Sequence, residues 1–105
     1  MSKSAPTREQ TIQRLLAAEA EIRQLGVRRL ALFGSVVRGD ARPDSDVDLL
    51  VEFAPGQKTF DRFMDLSDLL ENLLEHPVEL VTIEALSPFI GPHILAEAAD
   101  VLRAA

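Results

Sequence analysis

Between Arg29 and Phe53 the chain holds two short apolar runs separated by a polar loop, and the residues at the two ends of that loop constrain the rest. The first run, Arg29 to Phe33 (RLALF), is too short for a helix and is closed by a glycine, so it reads as a buried strand. Gly34 lets the backbone turn sharply and lets another group approach it closely. Ser35 is expected to cap a short helix whose first amides face whatever sits at the turn. A polar loop from Arg38 to Ser45 follows, with Gly39 and Pro43 inside it. Asp46-Val47-Asp48-Leu49-Leu50-Val51 then alternates into a second strand, and side chains two apart on a strand share a face. Asp46 and Asp48 therefore point one way, and Val47, Leu49 and Val51 the other.

Two carboxylates side by side repel unless a cation lies between them. Oxygen ligands of this kind suit Mg²⁺ or Mn²⁺, which bind through one or two carboxylates together with substrate phosphates. A turn that offers amides to a phosphate and a carboxylate pair that holds the bridging metal are the parts that phosphoryl or nucleotidyl transfer needs. For the two parts to meet, the end of the first strand must lie beside the start of the second. The two strands are thus expected to be antiparallel neighbours.

Gly34-Ser35, Arg38-Gly39 and Ser45-Asp46-x-Asp48-Leu49, at this spacing, resemble the signature of the minimal nucleotidyltransferases, small members of the DNA polymerase β-type superfamily. The resemblance runs from the leading helix to Val81 and on toward the tail. It implies that Gly34 and Ser35 contact the nucleotide triphosphate and that Asp46 and Asp48 ligate Mg²⁺. Arg38, Gly39 and Ser45 join them as nucleotide-binding candidates, Arg38 as a phosphate contact. It also implies a third carboxylate on the next strand, and the matching position in PVELVT is Glu79. The family pattern has Asp there, so this chain departs from it by one methylene. Two metal ions with ATP as substrate are the implied complement.

The rest of the chain arranges itself around that centre. Residues 1–6 read as a flexible leader to a single domain spanning 1–105. Thr7 with Gln10 has capping-box spacing, and Ile12, Leu15, Leu16, Ile22 and Leu25 recur at helical intervals up to Gly26, which predicts one leading helix. After the second strand, Ala54 to Lys58 is turn chemistry. Asp61 to Leu74 reads as a helix whose broad apolar face includes Phe63, Leu66, Leu69, Leu70, Leu73 and Leu74. Pro77 stops it, and Val78 to Thr82 is a third strand. Strand–helix–strand connections of this length give parallel neighbours, which brings Glu79 level with Asp46 and Asp48. Ser87-Pro88 and Gly91-Pro92 break the chain before a last helix expected from Pro92 to about Leu102. The predicted architecture is α/β: a mixed three-stranded sheet, helices packed mainly on one face, and the metal site on the open face.

Several other chemistries are excluded or outweighed. Asp44-x-Asp46-x-Asp48 could open a calcium loop, but that loop needs Gly at its sixth position and Glu at its twelfth, and here those are Leu49 and Pro55. Asp46, Asp48 and Glu79 could be solvated strand residues, and Arg38 and Arg42 surface charges; the Gly-Ser turn beside the aspartates argues for the metal. His76, before Pro77, and His93 lack ligand spacing and read as structural. There are no cysteines, hence no disulfide or thiolate chemistry, which suits a reducing cytoplasm. No apolar run approaches a membrane span. The net charge of −6 disfavours long nucleic acids and suits a basic protein partner.

The expected function is a metal-dependent nucleotidyltransferase that moves AMP from ATP to an acceptor hydroxyl. Proteins this chain resembles are antitoxins encoded beside HEPN ribonuclease toxins, which they bind and adenylylate on a tyrosine. A hetero-oligomer with such a HEPN-type toxin is the implied assembly. Two other readings stay open. One is an antitoxin that only binds, with a degenerate metal site; the other is an antibiotic nucleotidyltransferase subunit that needs a separate acceptor-binding chain.

Overall fold

The computed structural model describes residues 4–103. Thr7 caps the first helix, α1 (Arg8–Ala17), by accepting the Gln10 N–H at 3.2 Å. The predicted single leading helix is in fact two. It breaks at Ala18, itself buried, and resumes as α2 (Glu19–Gln24); Leu15 and Ile22 are fully buried while Leu16 stays exposed. Of the expected leader, residues 1–3 lie outside the described residues. The carbonyl of Ser4 lies 3.2 Å from Nε2 of His76.

Strand β1 (Val27–Phe33) leads through Gly34 into a single helical turn, α3 (Ser35–Arg38). Strand β2 (Val47–Phe53) runs back antiparallel to it, with Leu32 opposite Leu49 and Phe33 opposite Asp48. Helix α4 (Phe60–Leu74) is capped by the Thr59 hydroxyl and buries a stripe of Leu66, Leu70 and Leu74 at successive turns. It ends at Glu75 in the left-handed conformation, two residues before Pro77. Strand β3 (Val78–Thr82) then pairs parallel with β2, with Asp48 directly opposite Glu79.

The expected last helix is only half realised. Helix α5 (Gly91–Glu97) stops after two turns, and the chain returns as a fourth strand, β4 (Ala99–Leu102). β4 pairs antiparallel with β1, giving the sheet order β3-β2-β1-β4 in place of the predicted three strands. The tail is alanine-rich and favours helix locally. As a strand it satisfies the otherwise open edge of β1 and buries Val101 and Leu102. Arg29 in β1 clasps Asp100 in β4 at 2.8 Å and secures the pairing.

Alternation along the strands splits the apolar residues between two faces. Leu30, Leu32, Leu49 and Val51 join Leu15, Ile22, Val36, Leu66 and Leu70 in the main core under α1 to α4. Ala31, Phe33 and Leu50 form a smaller cluster on the opposite face, covered by Val81, Ile83, Leu86, Ile94 and Ala98. The second face is therefore not fully open: α5 and the 3₁₀ turn at Ile83–Ala85 lie over part of it. Its uncovered end, at the start of β2, is where the carboxylates lie.

Candidate active site

The site is assembled by register. Asp48 is the cross-strand partner of Phe33 on one side and of Glu79 on the other. Directly paired residues project to the same face. The turn that follows Phe33 is thereby stacked against the Asp48 side chain. Gly34 adopts φ 78°, ψ −153°, a backbone conformation that side chains other than glycine rarely adopt. Space makes the same demand: a Cβ on Gly34 would overlap Oδ2 of Asp48.

Gly34, not Ser35, is the N-cap of α3, and no side-chain hydrogen bond caps that turn. Ser35 is its first helical residue, so the expected hydroxyl cap does not form. Gly39 closes α3 in the left-handed conformation, with open space where a Cβ would be. Ser45 serves the loop: its hydroxyl accepts the Arg42 N–H at 2.8 Å, which holds the chain in a tight turn just before Asp46. Asp46 itself lies one residue before β2, exposed. Glu79 is also exposed, and Asp48 is half-buried between them in sequence and register.

The electrostatics follow from this crowding. Burial, and then Glu79 beside it, push the Asp48 carboxyl up to about 6 from an ordinary 3.8, with Asp46 adding to the shift and Arg38 opposing it. A half-buried carboxylate that feels two others is a place where a further cation would be stabilised. Among the described residues no three His, Cys, Asp or Glu side chains converge closely enough to hold a metal ion unaided. The donor set instead fits a Mg²⁺-type ion that takes one or two carboxylates, Asp46 and Asp48, and completes its shell with phosphate oxygens and water. Glu79 lies level with Asp48 on the neighbouring strand.

One polar residue here carries no sequence signal. Glu97, at the end of α5, accepts the Gly34 N–H at 2.7 Å and pairs with Arg38 at 3.0 Å. In AEAAD it reads as an ordinary helix-surface charge, and only the packing of α5 brings it to the turn. The Arg38 guanidinium, held first by Glu97 and then by Asp40, is pushed above its ordinary value. His76 places both ring nitrogens against carbonyl oxygens, of Leu74 and Ser4. Neither histidine falls in the carboxylate cluster. No helix among the described residues is long and apolar enough to cross a membrane.

Residues 15–101 match the nucleotidyltransferase domain family. The protein adenylyltransferase MntA of Thermococcus cleftensis is 42% identical over 84 residues, which covers 79% of this chain and 84% of that protein. A solved structure provisionally assigned as a minimal nucleotidyltransferase superposes with a TM-score of 0.74 at 39% identity, covering 83% of this chain and 88% of that one. An MNT antitoxin structure, in complex with a tri-AMPylated HEPN toxin of Shewanella oneidensis, shares the fold with a TM-score of 0.62 at 18% identity, covering 88% of this chain and 72% of that one. With the turn after β1 stacked on the β2 carboxylates, this chain belongs to the nucleotidyltransferase domain family and is one of its minimal nucleotidyltransferases.

Proposed function

We propose that the protein is a metal-dependent protein adenylyltransferase that transfers AMP from ATP to a tyrosine hydroxyl of a HEPN-type toxin and so neutralises it. The observation that carries this reading is the register that sets Asp48 beside both the Gly34 turn and Glu79. That arrangement sets carboxylates next to the turn at one end of the sheet's two central strands. The name of the Thermococcus relative and the toxin-bound state of the Shewanella antitoxin support the same acceptor class.

In this reading Gly34, Ser35 and Arg38 receive the triphosphate, with Gly39 and Ser45 shaping the loop around it. Asp46 and Asp48 would hold the divalent ions, with Glu79 completing the set, and a metal held there would neutralise phosphate charge. The acceptor oxygen attacks the α-phosphorus, the bond to the β-phosphate oxygen breaks, and pyrophosphate leaves. Glu79 takes the hydroxyl proton. Its carboxylate is exposed, so an acceptor carried on another protein can reach it. The reaction belongs to a reducing cytoplasm, where ATP and Mg²⁺ are both supplied.

The test is transfer of label. The protein, its genomic neighbour, Mg²⁺ and ATP labelled at the α-phosphate are incubated together. Label on the neighbour's tyrosine is the expected result. A stable complex without label would leave a binding-only antitoxin, and label passing instead to an antibiotic added to the mixture would favour the antibiotic reading.

A further inference from the structure

Gly34 lies between two carboxylates, and only one belongs to the cluster on β2 and β3. The other is Glu97, whose Oε1 accepts the Gly34 N–H at 2.7 Å and receives Nη1 of Arg38 at 3.0 Å, while its Oε2 lies 3.2 Å from the same nitrogen. The groups it engages are the backbone amide of the turn and the guanidinium proposed above to meet the triphosphate. A carboxylate presents charged, planar oxygens to such donors as a phosphate does, and a guanidinium receives either. The Gly34 N–H has one proton to give, so two anions cannot both take it at full strength.

We propose that Glu97 is an internal anion that occupies the phosphate seat of the turn, so that nucleotide enters only as this carboxylate leaves; the inference rests on the nucleotide reading of the site. The attachments of Glu97 permit this release. Glu97 ends a seven-residue helix and its side chain is about one-third exposed (32%). Helix α5 is tied to the sheet by the half-buried Ile94 and Ala98, and Ala98 is an extended link before β4 is anchored by Val101 and Leu102. Fraying of the last turn of this short helix, with a turn of the Glu97 side chain, releases Gly34 and Arg38 without moving β4. Apparent nucleotide affinity is then the intrinsic affinity multiplied by the fraction of molecules in which Glu97 has swung away.

Calorimetric titration of ATP·Mg²⁺ into the parent and Glu97→Gln tests this. Gln keeps the size and can still accept from Gly34 but carries no charge, so affinity is expected to rise by about tenfold. A purely structural clasp predicts the reverse, since loosening it would disorder the turn and weaken binding. Hydrogen exchange on the unaltered protein gives an independent readout should the variant not fold. On adding ATP·Mg²⁺, exchange is expected to rise over residues 91–98 and to fall over residues 34–39. Equal or weaker binding by a folded Glu97→Gln, or no rise over 91–98, overturns the gate and leaves the nucleotide reading standing. Absence of nucleotide binding by both proteins at millimolar ATP overturns both.

Discussion

The carboxylate of Asp48 occupies the space into which a side chain on Gly34 would project, with its Cγ 2.9 Å from the position of that Cβ. The turn and the aspartate are therefore one packed unit. Any change at Gly34 must also move Asp48 and whatever Asp48 holds.

Gly34→Ala is expected to lose stability and activity together. The positive φ and the overlap with Asp48 act in the same direction, and strain of this kind costs about 1–3 kcal/mol. Urea unfolding should show that loss, and labelled-ATP transfer should fall to background. A variant with parental stability would mean that the turn relaxes without cost.

Replacing the paired aspartates should separate charge from fold. Asp46→Asn is expected to fold normally and to abolish transfer, because it removes one charge from the pair proposed to hold the metal. Near-parental transfer in Mg²⁺ would show that the pair is not the site.

Asp48 should give the metal-free protein a distinctive pH dependence. Its folded value, about 6, lies above the ordinary 3.8, so between these values the folded protein keeps a proton that the unfolded chain has released. The stability this group contributes is fully present below about pH 4 and lost as pH rises through 6. Solvent around this half-exposed group reduces the effect to about 1 kcal/mol. In metal-free buffer Asp48→Asn should therefore melt about 4 °C above the parent at pH 7, with the gap closing at pH 4. The gap should also shrink when ATP·Mg²⁺ is added to the parent. A pH-independent difference would remove the crowded-carboxylate account.

Glu79 tests how the third carboxylate is used. Glu is longer by one methylene than the Asp of the family pattern, and a misplacement of about 1 Å can cost on the order of 10²-fold in rate. Glu79→Ala should lose transfer while still binding ATP·Mg²⁺, since the Gly34 turn and the two aspartates do not depend on it. Glu79→Asp should keep or raise transfer. Single-turnover rates beside calorimetric affinities distinguish these outcomes, and parental transfer by Glu79→Ala would make Glu79 a plain strand residue.

Association with the proposed HEPN-type partner should not need nucleotide. Phe60, Met64, Phe89 and Ile90 are large apolar side chains left exposed, and such surface commonly marks protein contacts. Co-expression with the HEPN-type neighbour and size exclusion at micromolar concentration should give one co-eluting peak in ATP-free buffer. Separate elution would count against the antitoxin assignment.

Much of this protein is decided by local chemistry that the sequence states openly. RLALF before Gly34 and the alternation after Asp46 are short-range patterns, and they determine two strands and the turn between them. Pro77 keeps α4 from running on past its Glu75 cap, and the connection length makes β3 parallel to β2. Asp48 opposite Glu79 then follows from period-two geometry. Three features depended on partners far away in the chain. The leading helix breaks at Ala18, which packs with Leu15 and Ile22 into a core built from distant strands and helices. The alanine-rich tail has helical propensity, yet residues 99–102 form a strand because the edge of β1 supplies hydrogen bonds and a buried place for Val101 and Leu102. Glu97 meets Gly34 across 63 residues of sequence, a contact that exists only because α5 packs over the second face of the sheet. Propensity and periodicity act over a few residues, whereas an open strand edge and an unpaired amide are filled by whatever the finished fold brings within reach.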